Sequence, residues 1–115
     1  MIASHDTVVL ITREGMGHAD QELQRQLLVK YLNLLLENGT LPGAVCFYTE
    51  GVKLVVEGSP VLEQLRALEQ GGVHLVICQT CLNYYGISDK VRVGIVGGMG
   101  DIQAAQMKAA KVITL

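Results

Sequence analysis

The feature that most constrains this chain is an alternation. Short β-branched apolar runs are separated, from one end to the other, by stretches whose apolar residues recur at helical spacing. Thr7-Val8-Val9-Leu10-Ile11-Thr12 reads as a buried strand, because an unbroken branched run suits a sheet covered on both faces. Leu23, Leu27, Leu28, Tyr31, Leu32 and Leu35 then follow helical spacing. The leucines of 23–36 are expected to form a core stripe, with Asp20 as the helix cap and Asn38-Gly39 as its stop. Residues 44–48 give a second strand, and 52–57 read equally as a helical turn or a short strand. Ser59-Pro60 opens the next helix, since a hydroxyl can cap it and proline's missing N–H costs nothing in a first turn. Leu62, Leu65 and Leu68 supply its apolar face, and Gly71-Gly72 ends it. Residues 73–78 are the third strand. Thr80 is expected to cap a short helix over 81–85, closed by Gly86. A weaker strand over 91–95, a helix from its cap Asp101 to residue 110, and a strand over 112–114 complete the pattern.

Strands that alternate with helices pair in parallel through right-handed crossovers, which puts helices on both faces. The expected fold is therefore α/β: three layers, Rossmann-like, with a mostly parallel sheet of about five strands. No linker divides the chain, so residues 1–115 are expected to form one domain that buries about two thirds of its unfolded surface. Sheets of this kind place their sites outside the carboxyl ends of the strands. That selects the loops at 13–19, 49–51, 78–81 and 96–101.

Composition removes several functions. Half the residues are apolar, which excludes a disordered chain. No apolar run approaches the ~20 residues of a membrane helix, and Met1 to Asp6 show no secretory leader. A net charge of −2, with four tyrosines, one phenylalanine and no tryptophan, leaves no basic stripe with aromatic platforms, so nucleic acid is not an expected partner. Charged residues make up 17% of the chain, below the ~25% of an average soluble domain. Part of the surface is thus expected to join copies in a homo-oligomer. Three cysteines without an export signal place the protein in the reducing cytoplasm, where sulfur serves chemistry rather than disulfide scaffolding.

The sharpest chemical feature is Cys78-Gln79-Thr80-Cys81. Cys78 ends a buried strand and Cys81 opens a helix, whose N-terminal dipole favours thiolate. The competing reading, a pair of small buried apolar groups, is the ordinary fate of free cysteine. A dithiol switch shares the strand–CxxC–helix order but belongs to a different flanking pattern. A zinc site needs about four ligands, and no second pair supplies them, so no metal and no cofactor are expected. Cys46, mid-strand, reads as core. His18, in the first strand–helix loop, can steer or protonate a sulfur substrate, or simply lie exposed. His74, mid-strand, is expected to pack or to face a neighbour, and His5 carries no signal. Gly15-Met16-Gly17 and Gly98-Met99-Gly100 echo one another, each between a strand and a helix where backbone N–H groups can hold an anion. Neither matches a known phosphate loop, and turn geometry explains them as well. Tyr84-Tyr85 walls the pocket or an interface, or packs with one ring inside and one half exposed.

These residues resemble the DsrE/DsrF-like sulfur-relay proteins, and most closely the C-terminal domain of the YedF proteins linked to selenium metabolism. The matching stretches are Val9-Leu10-Ile11 with Gly15-Met16-Gly17, Phe47-Tyr48 leading to Gly51-Val52-Lys53-Leu54, and Cys78-Gln79-Thr80-Cys81-Leu82 with Tyr85-Gly86. Val93-Gly94, Met99, Asp101-Ile102 and Ala110 to Leu115 follow in order. The resemblance implies a DsrE-type fold, frequent oligomers and a carrier cysteine at the end of this strand, eight residues before a glycine. Cys78 and Gly86 have that spacing, and Cys81 matches the second YedF cysteine. It departs at Gln79, where YedF has glycine; at Gly97-Gly98, where YedF has Ser-Asn; and in the Thr49-Glu50 region, where an asparagine is replaced. The implied function is sulfurtransferase-like relay of sulfur or selenium as a persulfide on Cys78. Thr80, Gly15, Met16, Gly17, His18, Glu50, Gly98 and Met99 would form the pocket, with donor and acceptor proteins or small sulfane donors as partners. The alternative is a non-catalytic domain that binds a nucleotide or flavin through its glycine loops.

Overall fold

The computed structural model describes residues 3–115, with side chains from Asp6 onward; Met1 and Ile2 of the segment read for a leader, and the His5 side chain, lie outside it. Five strands form one parallel sheet: β1 (Ala3–Ile11), β2 (Leu41–Phe47), β3 (His74–Cys78), β4 (Ile95–Gly97) and β5 (Lys111–Thr114), ordered β4-β3-β2-β1-β5. The helices are α1 (Gln21–Asn38), α2 (Leu62–Gln70), α3 (Gln79–Tyr85) and α4 (Met99–Lys108). The chain steps from β1 to β4 in one direction and then returns to the far side of β1, so the switch in strand order lies beside β1.

Residue parity sorts the two faces of the sheet. Val9, Ile11, Val45, Phe47, Leu75 and Ile77 lie at matching register and are all buried. Tyr31 and Leu35 of α1 line a crevice with Val9 and Ile113 on this face. The opposite parity carries Val8, Leu10, Cys46, Val76 and Cys78, and Asp101 of α4 lines a crevice there with His74, Val76 and Ile95. This is the three-layer Rossmann-like α/β architecture the alternation predicts.

Several local expectations need correction. Leu28 and Leu32 are buried, but Leu23, Leu27 and Leu34 are 40–53% exposed. An eighteen-residue helix buries a narrower stripe than its leucines span, so the core reading of 23–36 holds for part of it only. Asp20 occupies the N-cap position of α1 but makes no side-chain cap bond. Gly39, left-handed at φ 66°, ends the helix with its N–H and that of Thr40 on the Leu36 and Leu35 carbonyls. Ser59 Oγ accepts from Val61 N, so the helix starts at Leu62, two residues past Pro60. Of the ambiguous segment 52–57, the part up to Val55 belongs to a 3-10 helix over Thr49–Val55, and Val56 makes an isolated bridge to Val91. The fourth strand is not 91–95. Val91 makes only an isolated bridge to Val56, and Gly94, at φ 84°, turns the chain so that pairing begins at Ile95. Asp101 sits one turn inside α4 and accepts from Gly98 N, and the helix ends at Lys108. His74 opens β3 rather than lying mid-strand, and it is exposed at the crevice it lines with Val76 and Ile95 rather than packed. Among the described residues, no helix is long and apolar enough to cross a membrane.

Candidate thiol site

The carboxyl edge of the sheet presents its chemistry in strand order. At β3 the strand runs into α3 without a loop: Cys78 is the last extended residue and Gln79 the first helical one. Thr80 is thus the second helical residue, exposed, and not a cap; the cap position belongs to Cys78. Residues three apart share a helix face, so Cys81 turns back over Cys78 and the two sulfurs lie 3.1 Å apart, both free thiols. Cys78 is 1% exposed, whereas Cys81 is half-buried.

Cys81 also accepts a hydrogen bond from Thr49 N, at 3.1 Å. Burial pushes the Cys81 thiol up, its bond to and charge repulsion with Cys78 push the same way, and the Thr49 N–H pulls down; the net direction is up. For Cys81 this direction is opposite to the thiolate expected at a helix end. Cys81 therefore keeps its proton and donates it to Cys78 Sγ.

Thr49 has a conformation that the sequence did not announce. It is the one non-glycine residue with positive φ, 50°, among those described, and β-branched residues rarely occupy that region. Its hydroxyl lies 2.5 Å from Thr12 O and 2.7 Å from Tyr48 O. Tyr48 N donates to Ile11 O, and any Cβ at Gly51 would collide with that same carbonyl. The turn after β2 is thus seated directly on the end of β1, and only glycine fits where it touches.

Beyond this turn lies a polar cavity of about 330 Å³, lined by Thr12, Arg13, Glu14, His18, Gln24 and Glu50 among others. It brings together two of the expected pocket residues, His18 and Glu50. Gly15, Met16 and Gly17 support it from behind: Gly15 is pressed against Gln24 so closely that a side chain would clash, Met16 N donates to Gln24 O, and Gly17 O accepts from Arg13. Lys53 bridges this cavity to the thiols. Its ammonium lies 3.8 Å from Glu50, 4.0 Å from Glu14 and 4.4 Å from the centre of the Tyr85 ring. Glu14 is held further by Arg25 at 3.1 Å. Tyr85 packs on the core and meets exposed Tyr84 edge-on.

On the other side of Cys78, Gly97 is its partner in register on β4, which places Gly98 and Met99 next along the edge. The Gly98 N–H is taken by the Asp101 carboxylate at 2.9 Å, so this glycine loop presents an acid where an anion would sit. The structure therefore brings Cys78, Cys81, Glu50 and His18 along one edge through Thr49 and Lys53. Thr49 lies in a loop the sequence selected and Lys53 in a stretch that carries the resemblance, but neither was given a role, since threonine carries no mark of positive φ. Among the described residues, no three His, Cys, Asp or Glu side chains converge to hold a metal ion.

Three solved structures share this architecture. The ychN protein from E. coli superposes with a TM-score of 0.70 at 17% identity, covering 96% of this chain and 99% of that one. MTH1491 from Methanobacterium thermoautotrophicum, a protein of unknown function, gives 0.69 at 23% identity, over 95% and 97%. BT1422 from Bacteroides thetaiotaomicron, likewise of unknown function, gives 0.65 at 15%, over 100% and 99%. These likenesses establish the fold. No curated protein matches the chain. The profile of the DsrE/DsrF-like family matches residues 6–115, nearly the whole length, and the chain belongs to that family.

Proposed function

We propose that this protein is a sulfurtransferase-like relay that carries sulfur on Cys78, with Cys81 as its partner. One observation supports this above others: two free thiols 3.1 Å apart at the carboxyl end of an interior strand, in a family associated with sulfur relay. Cys78 Sγ, the acceptor of the Cys81 proton, attacks the outer sulfur of a sulfane donor R–S–SH. A bond forms between Cys78 and that sulfur, the donor's S–S bond breaks, and R–S⁻ leaves. An acceptor thiolate can then take the outer sulfur and release Cys78 as thiolate. Alternatively the Cys81 thiolate attacks the inner sulfur, forming a Cys78–Cys81 disulfide and expelling HS⁻, and an external dithiol restores the pair. Within the family we place the chain nearest the YedF proteins, on its two cysteines, which makes selenium the second cargo.

The proposal includes a cytoplasmic setting, donor and acceptor proteins or small sulfane donors as partners, no nucleic-acid partner, and a homo-oligomer. Exposed Leu23, Leu27, Leu34, Ile95 and Met107 support the last of these; light scattering that stays at the 12.4 kDa of one chain across a wide concentration range would refute it. Intact-mass spectrometry after incubation with a sulfane donor R–S–SH, or its selenium counterpart R–S–SeH, tests the relay: one added chalcogen with R–S⁻ released, lost in Cys78→Ser, is expected. The polar cavity favours a second reading, a small-ligand domain. Glu14 and Glu50 in its wall oppose a phosphate, which ranks a nucleotide or flavin lower. Nucleotide or flavin binding with no added sulfur mass would select it.

A further inference from the structure

The strain at Thr49 asks for a function. Relaxation to negative φ would cost a β-branched residue nothing locally and would swing its N–H away from Cys81. Two features prevent it. The hydroxyl is fixed on the Thr12 and Tyr48 carbonyls, and the following turn is seated through Gly51 on Ile11 O. The held N–H points at Cys81 Sγ, 3.1 Å away. It satisfies no backbone carbonyl, as an ordinary turn N–H would.

We propose that Thr49 is a positioning residue of the thiol pair: its left-handed backbone, locked by its hydroxyl, holds an N–H donor on Cys81 Sγ for the step in which Cys81 attacks the Cys78 persulfide. This rests on the relay reading above. In the first half of the cycle Cys81 holds a proton for Cys78. In the second it must carry the negative charge itself while HS⁻ leaves. Burial and Cys78 both oppose that charge, and the Thr49 N–H is the contact that favours it. The charged groups on the surrounding elements do not replace it. Glu14, Glu50, Lys53 and Arg25 are paired with one another, Asp101 is bonded to Gly98, and Asp89 and Lys90 lie on the 88–90 turn packed against α3.

The test compares Thr49→Val, which keeps the branch and loses the hydroxyl, with Thr49→Ser, which keeps the hydroxyl. Fragment-mapped alkylation of Cys81 is followed against pH in each full-length protein. T49V is expected to move the midpoint of the profile upward and slow labelling at neutral pH about three- to tenfold, at an unchanged high-pH plateau, while T49S tracks the parent. Persulfide loading on Cys78 should survive in T49V and HS⁻ release should slow by the same factor. If T49V loses the native circular-dichroism spectrum, Thr49→Gly, which tolerates positive φ without the lock, carries the comparison, with a smaller upward shift expected. An unshifted midpoint in folded T49V or T49G, or an equal shift in T49S, overturns the proposal. Alkylation needs no sulfur donor, so a positive profile without loading would keep Thr49 and discard the relay; loading and release unaffected in T49V would do the reverse.

Discussion

Cys46 and Cys78 stand on neighbouring strands and face the same side of the sheet. Cys46 is level with Val76, two residues short of the edge that Cys78 reaches. Cys46 is a fully enclosed free thiol, pushed up to about 11 by burial. Cys78 has a second sulfur at 3.1 Å, and through it a backbone donor from another strand's turn. Two residues of strand therefore separate an enclosed thiol from a thiol pair. The residue type is shared; what differs is the end of the strand and what the next element folds back over it.

The largest effect expected of this contrast is all-or-none. Cys78→Ser should abolish the added sulfur mass and Cys46→Ala should leave it intact; loading that persists in the first variant would erase the distinction. Next comes labelling. A thiol displaced from 9 to about 11 has about a hundredfold less thiolate at neutral pH, before any allowance for enclosure. Cys81 is pushed up as well but is open on one side, so peptide-mapped alkylation of the native protein should mark Cys81 well before Cys46, and the gap should close in denaturant.

A third prediction concerns alkaline stability. The folded Cys46 thiol ionises at about 11 and the unfolded one near 9, so the folded state binds the proton more tightly. That contribution is complete below pH 9 and is lost as pH rises towards 11, roughly 2 to 3 kcal/mol in all. Tyr31, raised by burial, and Cys81 act with the same sign. Urea melts between pH 8 and 11 should show the decline, and Cys46→Ala should flatten most of it. The smallest effect is at neutral pH. Cys46→Ala should cost about 1 kcal/mol for the small void it leaves, and Cys81→Ala less, since its site is already open on one side.

Much of this architecture was legible because it rests on local signals. β-branched runs gave the strands, and Gly39, Gly71-Gly72 and Gly86 marked the helix ends through their backbone freedom. The placement of Cys78 at a carboxyl edge followed from alternation alone. The misreadings share another origin. Thr80 looks like a cap only if a loop separates strand from helix, and none does. The strand expected at 91–95 lost its pairing to the turn at Gly94, which long-range packing against Leu75 and Ile77 imposes. Leu23, Leu27 and Leu34 obey helical spacing yet lie outside the stripe the sheet can cover. Thr49 was illegible for the deepest reason: its conformation is imposed by contacts with residues 12 and 81, far away in the chain.

The strand beside Cys78 has a kinetic consequence. β4 is three residues long, forms the margin of the sheet, and exposes two thirds of Ile95. Margins of this kind breathe at a small fraction of the free energy of global unfolding. Cys78, sealed on average, is level with Gly97 of that strand, so under the proposed relay the frequency with which the margin frays would set how often a bulky donor finds the sulfur. Amide-exchange protection at residues 95–97, rather than the melting temperature of the chain, is then the quantity that tracks the rate of loading.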